Sequence, residues 1–97
     1  MSKGPKYAII ANNITGEQRE QIQGIVKANT GTWWHAFADL WIVEGHGTAE
    51  WRDLIGLAVA RKPGGVMVLK IDPSNTPRWA YRANLSDEAR DWLNNNL

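Results

Sequence analysis

At 97 residues, with a formal net charge of +1 and no cysteine, the chain has room for one hydrophobic core and not two. The missing thiols exclude disulfide staples, thiolate metal sites and cysteine nucleophiles. The near-neutral charge lacks the broad basic excess of a domain that lives on phosphate contacts, so nucleic-acid binding would rest on local clusters such as Arg61 with Lys62 and Arg78 with Arg82.

In chain order, Tyr7–Ala11 is a short apolar run without alternation, the mark of a central strand. Thr15 then stands three residues before Gln18, the capping-box spacing of a helix start. Ile22, Ile25 and Val26 recur on one helical face, with Glu17, Arg19, Glu20, Gln23 and Lys27 opposite, and Asn29-Thr30-Gly31 is a stop, so a helix is expected over about 16–29. Gly24, inside it, is expected to permit close packing on a sheet. Aromatic and β-branched residues from Thr32 to Glu44 predict two short strands, roughly 32–37 and 39–45, meeting at a bend or bulge near Ala38-Asp39. Alternation puts Trp33, His35 and Phe37 on one face and Trp34 and Ala36 on the other.

Gly45-His46-Gly47 reads as a turn with His46 exposed and unpartnered. Thr48 is the expected cap of a second helix, which carries Trp51, Leu54, Ile55, Ala58 and Val59 on one stripe and runs to about Arg61. Lys62-Pro63-Gly64-Gly65 breaks it. A strand is expected over 66–72, then a loop, an extended edge segment at Arg78–Tyr81, and a short helix capped by Ser86 with Trp92 and Leu93 inward. Strand, helix, two strands, helix, strand is the split βαβ layout. The expected class is therefore α/β of the α+β kind, a single ferredoxin-like βαββαβ sandwich with a short C-terminal helix. No stretch approaches the roughly 20 apolar residues of a membrane span, and no signal-peptide run follows the first residues. A cytoplasmic protein without a membrane partner is expected.

Six tryptophans are unusual in a chain of this length. Trp51 and Trp92 sit on helical stripes and belong to the core. Trp33 and Trp34 are adjacent in a strand, so one must lie on the open sheet face, as a dimer contact or a stacking platform for bases. Trp79, flanked by Arg78 and Arg82, carries the equipment for holding nucleotides by stacking and phosphate contact, or else packs as a tail over the sheet. Asn12 and Asn13 stand where the first strand hands over to a helix. There they either serve turn geometry or hydrogen-bond a base, ribose or phosphate. His35 and Asp39, four apart, would form an acid–base pair if they share a face; otherwise His35 is a packed strand residue. No His, Asp and Glu spacing matches a metal site, and no cofactor is expected.

Gly31-Thr32-Trp33-Trp34-His35, Leu40-Trp41-Ile42-Val43, Thr48-Ala49-Glu50-Trp51-Arg52-Asp53, Trp79 and Leu85-Ser86-Asp87-Glu88-Ala89-Arg90-Asp91-Trp92-Leu93 occur in one order and spacing. In these the chain resembles the small SinR-like proteins of bacteria and phages. That group is itself similar to the ferredoxin-like CRISPR-associated adaptation protein and to VapD-type endoribonucleases. The resemblance implies a homodimer formed through sheet edges, binding to nucleic acid, and in some relatives cleavage. Relatives of this kind place a metal-holding aspartate at the end of the first strand, where this chain reads Ala11-Asn12-Asn13. An amide is a poor ligand for a hard cation and no base.

The expected function is a non-catalytic homodimeric module that binds nucleic acid or a nucleotide. A phage or mobile-element counter-defence role against a host protein would fit the size. The candidate ligand-binding residues are Asn12, Asn13, Trp34, His35, Arg78, Trp79 and Arg82. The alternatives are a small endoribonuclease using His35, with Asp39 and Asp72 as the acidic candidates on strands, and a protein-binding inhibitor.

Overall fold

The computed structural model describes residues 4–59, 64–71 and 85–97. The elements run β1 (Lys6–Asn12), α1 (Gly16–Asn29), β2 (Trp33–Phe37), β3 (Leu40–Glu44), α2 (Thr48–Val59), β4 (Gly65–Ile71) and α3 (Asp87–Asn96). The expected strand, helix, strand, strand, helix, strand order is therefore present. Arg61, Lys62, Asp72 and the expected edge segment Arg78–Tyr81 lie outside the described residues. No helix among the described residues is long and apolar enough to cross a membrane.

The four strands form one sheet in the order β2-β3-β1-β4, and each neighbouring pair is antiparallel. β1 is central: Ile9 pairs with Trp41 on one side and Val68 on the other. Because side chains alternate along a strand, the sheet has two apolar faces. Tyr7, Ile9 and Ala11 join Trp41 and Val43 on one face, and Ile22 and Val26 of α1 and Trp51 and Ile55 of α2 close over them. On the other face Trp34 and Ile42 pack with Leu93 and Leu97 in and after α3. The same reverse face carries a buried ion pair at one end of β1, where Lys6 Nζ lies 2.7 Å from Glu44 and donates to the Gly4 carbonyl.

α1 starts as its sequence dictates. Thr15 Oγ1 accepts from the Gln18 backbone N–H at 3.1 Å, and Gln18 Oε1 accepts from the Thr15 N–H at 2.7 Å. Gln18 is also fully buried, and its amide donates to the Ala58 carbonyl near the end of α2. One polar side chain thus satisfies a helix start and ties the two helices together. α2 begins a residue earlier than expected. Its first helical bond runs from the Trp51 N–H to the Gly47 carbonyl, so Gly47 is the cap and Thr48 stands in the first turn.

Two packing expectations are corrected. Gly24 allows no close approach: a methyl group there would meet nothing within 4 Å. β2 carries a bulge. Trp34 pairs with Ile42 and Phe37 with Leu40, which leaves His35 and Ala36 opposite Trp41 alone. The extra residue reverses the alternation beyond it. Phe37 consequently meets Trp34 edge-on, with ring centroids 5.2 Å apart, rather than sharing the face of Trp33.

Candidate functional site

Asn12 closes β1 and Asn13 follows it with φ +56°, the left-handed region that asparagine tolerates better than most residues. Both are exposed. The turn is tight: a Cβ on Gly64 would lie 2.6 Å from the Asn13 carbonyl oxygen and 3.0 Å from that of Asn12. Gly64 itself has φ +105°, so only glycine fits this approach. Turn geometry accounts for Asn13, whereas Asn12 is the last paired residue of β1, opposite Gly65.

The hairpin of β2 and β3 brings His35 back toward α1, where it lies flat on Trp41 at a centroid distance of 4.3 Å. Its Nδ1 is 2.5 Å from Gln23 Oε1 and its Nε2 is 2.9 Å from the Ala38 carbonyl oxygen. A carbonyl only accepts, so Nε2 carries a hydrogen. Nδ1 then accepts from the Gln23 amide group or, in the imidazolium, donates to it. Asp39 does not pair with His35. Its carboxylate takes two bonds from Arg19, at 2.9 and 2.7 Å, while Arg19 Nε also donates to the Ala38 carbonyl. The expected acid–base pair is therefore replaced by two structural links from α1 to the hairpin. The turn at Ala38-Asp39 is the cause: β2 ends at Phe37 and the chain reverses there, so the two residues never share one unbroken strand.

Of the adjacent pair, Trp34 is the one on the face away from α1 and α2, but it is not exposed there. It is 5% exposed, covered by α3, and its indole N–H donates to the Ala89 carbonyl at 3.0 Å. Among the described residues the half-buried tryptophans are Trp33 and Trp92, so Trp92, expected in the core, packs at its margin instead. The two line a groove of about 360 Å³ between the β2 edge and α3, together with His35, Ala36 and Glu88. On the other side of the same strand a second groove of about 460 Å³ runs along α1, lined by Arg19, Glu20, Gln23, Lys27 and His35. His35 lines both, and the Lys27 ammonium sits 5.8 Å from the centre of the Trp33 ring.

Arg78, Trp79 and Arg82 lie outside the described residues, as does Asp72. The chain matches no protein-family model, no curated protein and no solved structure. The site therefore has to be read from its own geometry. Among the described residues no group of three His, Asp or Glu side chains is placed to hold a metal ion.

Residue patterns missed one well-built feature. His46, between two glycines, has φ +61°; it is exposed, as expected, but not unpartnered. Its Nε2 is 2.8 Å from the Asn29 carbonyl oxygen at the end of α1, and its Nδ1 is 3.3 Å from Glu50 in the first turn of α2. Its ring meets Trp51 edge-on at 5.1 Å, and its own carbonyl accepts from Tyr7 at 3.4 Å. Both ring nitrogens face acceptors. The Asn29 carbonyl first, and the Glu50 carboxylate second, raise the His46 pKa above its usual value of 6.5. The i, i+4 spacing of His46 and Glu50 was the only signal in the sequence. Asn29 is seventeen residues away and was not legible.

Proposed function

We propose that this chain is a ferredoxin-like binding module for nucleic acid or a nucleotide, of the SinR-like kind, acting without catalysis and as a homodimer in the cytoplasm. The sheet order β2-β3-β1-β4 with both α1 and α2 on one face supports the ferredoxin-like reading, because it is the order that a split βαβ repeat produces. The observation that carries the function is the contrast at the β2 edge. Of the best candidates for acid–base work, His35 turns both ring nitrogens to Gln23 and Ala38, and Asp39 is paired through Oδ1 with Arg19. Trp33 and Trp92 instead keep exposed surface in an open groove, which suits stacking and not proton transfer. For the dimer the support is β4. It is a sheet-edge strand among the described residues, and it exposes 55% of Met67 and 47% of Leu69, an apolar edge that a lone subunit leaves open to pairing.

Incubation with single-stranded RNA and DNA, with and without magnesium or manganese, tests the function. The proposal expects intact strands whose migration is slowed and whose binding weakens with salt. Metal-stimulated cleavage would replace it with the endoribonuclease reading. Sedimentation at micromolar concentration should give twice the chain mass; a clean monomer removes the shared edge from the account.

A further inference from the structure

The geometry points to a single-stranded nucleic-acid site wrapped around the β2 edge, with unstacked bases on Trp33 and Trp92 and the phosphate backbone passing His35 to reach Lys27. This rests on the nucleic-acid reading above and gives it a place, one that differs from the asparagine turn at the end of β1.

Three observations converge. First, aromatic surface lies on both sides of the β2 edge: Trp92 packs on the α3 side beside Trp34, while Trp33 packs on the α1 side, where Arg19, Gln23 and Lys27 make the groove polar and cationic, and both tryptophans reach the groove at the edge itself. Second, the two grooves are contiguous, because His35 lines both and Lys27 hangs over the Trp33 ring. Third, the cations differ in availability. Arg19 is committed to Asp39, whereas Lys27 is exposed and its one described contact is with an aromatic face. An ammonium in that position can turn to a phosphate while the ring beside it takes a base.

A planar π-system followed within one side-chain length by a cation matches a nucleotide unit, base then phosphate. It does not match a duplex, whose bases are stacked away from side chains. Glu20 and Glu88 also line the grooves, so the charge complement is small. Affinity should therefore come from stacking more than from counter-ion release, with a shallow salt dependence of one or two phosphates.

The test is fluorescence or gel-shift titration with a short oligo-dT strand, an oligo-U strand and a duplex of equal length. The parent should bind both single strands and discriminate against the duplex. Trp92→Ala should weaken binding about tenfold, within the range of one lost base stack. Lys27→Gln, on an exposed helix surface where folding is not at risk, should lower the slope of log affinity against log salt by about 0.7, one phosphate on a single strand. Arg52→Gln, the same charge change on the far helix, should leave that slope unchanged. If the parent binds but Trp92→Ala and Lys27→Gln match it, this site is wrong and the wider reading survives. If the parent binds the duplex as tightly as the strands, stacking is not the mode and the site is again wrong. If the parent binds none of the three, both fail together.

Discussion

His46 shows how much one side chain can hold when its backbone is placed for it. The turn 45–47 joins β3 to α2, and its left-handed histidine reaches the last carbonyl region of α1 as well. An imidazolium satisfies Asn29 and Glu50 together, whereas the neutral ring must leave one acceptor without a proton. The folded state accordingly holds this proton more tightly than the unfolded chain. Its contribution to stability is fully present below about pH 6.5 and is lost as pH rises through the raised folded-state value. Thermal melts between about pH 5.5 and about pH 8.5 should show the parent losing stability relative to His46→Asn, a variant that tolerates the same backbone but cannot take up a proton. Equal pH dependence in the two proteins would remove the latch. The tryptophans divide at the same scale. Trp51 is fully buried and donates to the Gly45 carbonyl at 2.7 Å, so Trp51→Ala should cost about 3–5 kcal/mol. Trp92 is only half-buried, so Trp92→Ala should cost less, roughly 1–2 kcal/mol by the area it buries. Denaturant titration of the two variants reads the difference directly.

Among elements, α1 was legible almost to the residue, because its signals are local: a capping box at Thr15 and Gln18, an apolar face every third or fourth position, and a stop at Asn29-Thr30-Gly31. The β2–β3 hairpin was legible as two strands. The bend expected at Ala38-Asp39 is the turn that joins them, but the bulge at His35 and Ala36 is a separate feature, and no residue in the run marks it. The turn defeated the His35–Asp39 pairing, and the bulge moved Phe37 to the face of Trp34. Gly24 illustrates the reverse error, since a helix-interior glycine suggests a close neighbour and here there is none. Gly24→Ala should then stabilise the domain by about 0.5–1 kcal/mol through helix propensity and a restricted unfolded chain. A lower melting temperature for that variant would mean that the open space at this position is occupied in solution.

For the whole molecule, the sheet is covered by α1 and α2 on one face and in part by α3 on the other, and this second cover was the largest thing the sequence concealed. Trp34 and Ala89 are 55 positions apart. No periodicity reports a contact of that range, so the cover over Trp34 was not foreseen, and among the described residues Trp33 and Trp92 keep accessible surface. The proposed site accordingly keeps His35 of the sequence-based candidates and adds Trp33, Trp92 and Lys27 at the edge of β2, where two grooves share His35.

The measurement that tests this placement most directly is a two-dimensional NMR titration of the indole N–H signals with an oligo-dT strand. All six tryptophans then report at once from one sample. The account predicts that Trp33 and Trp92 shift saturably, with Lys27 and His35 backbone signals moving alongside. Trp51, bonded to Gly45 in the far core, should stay still. Shifts centred on Asn12 and Asn13 with Trp33 and Trp92 unmoved, or no saturable shift anywhere, would contradict it.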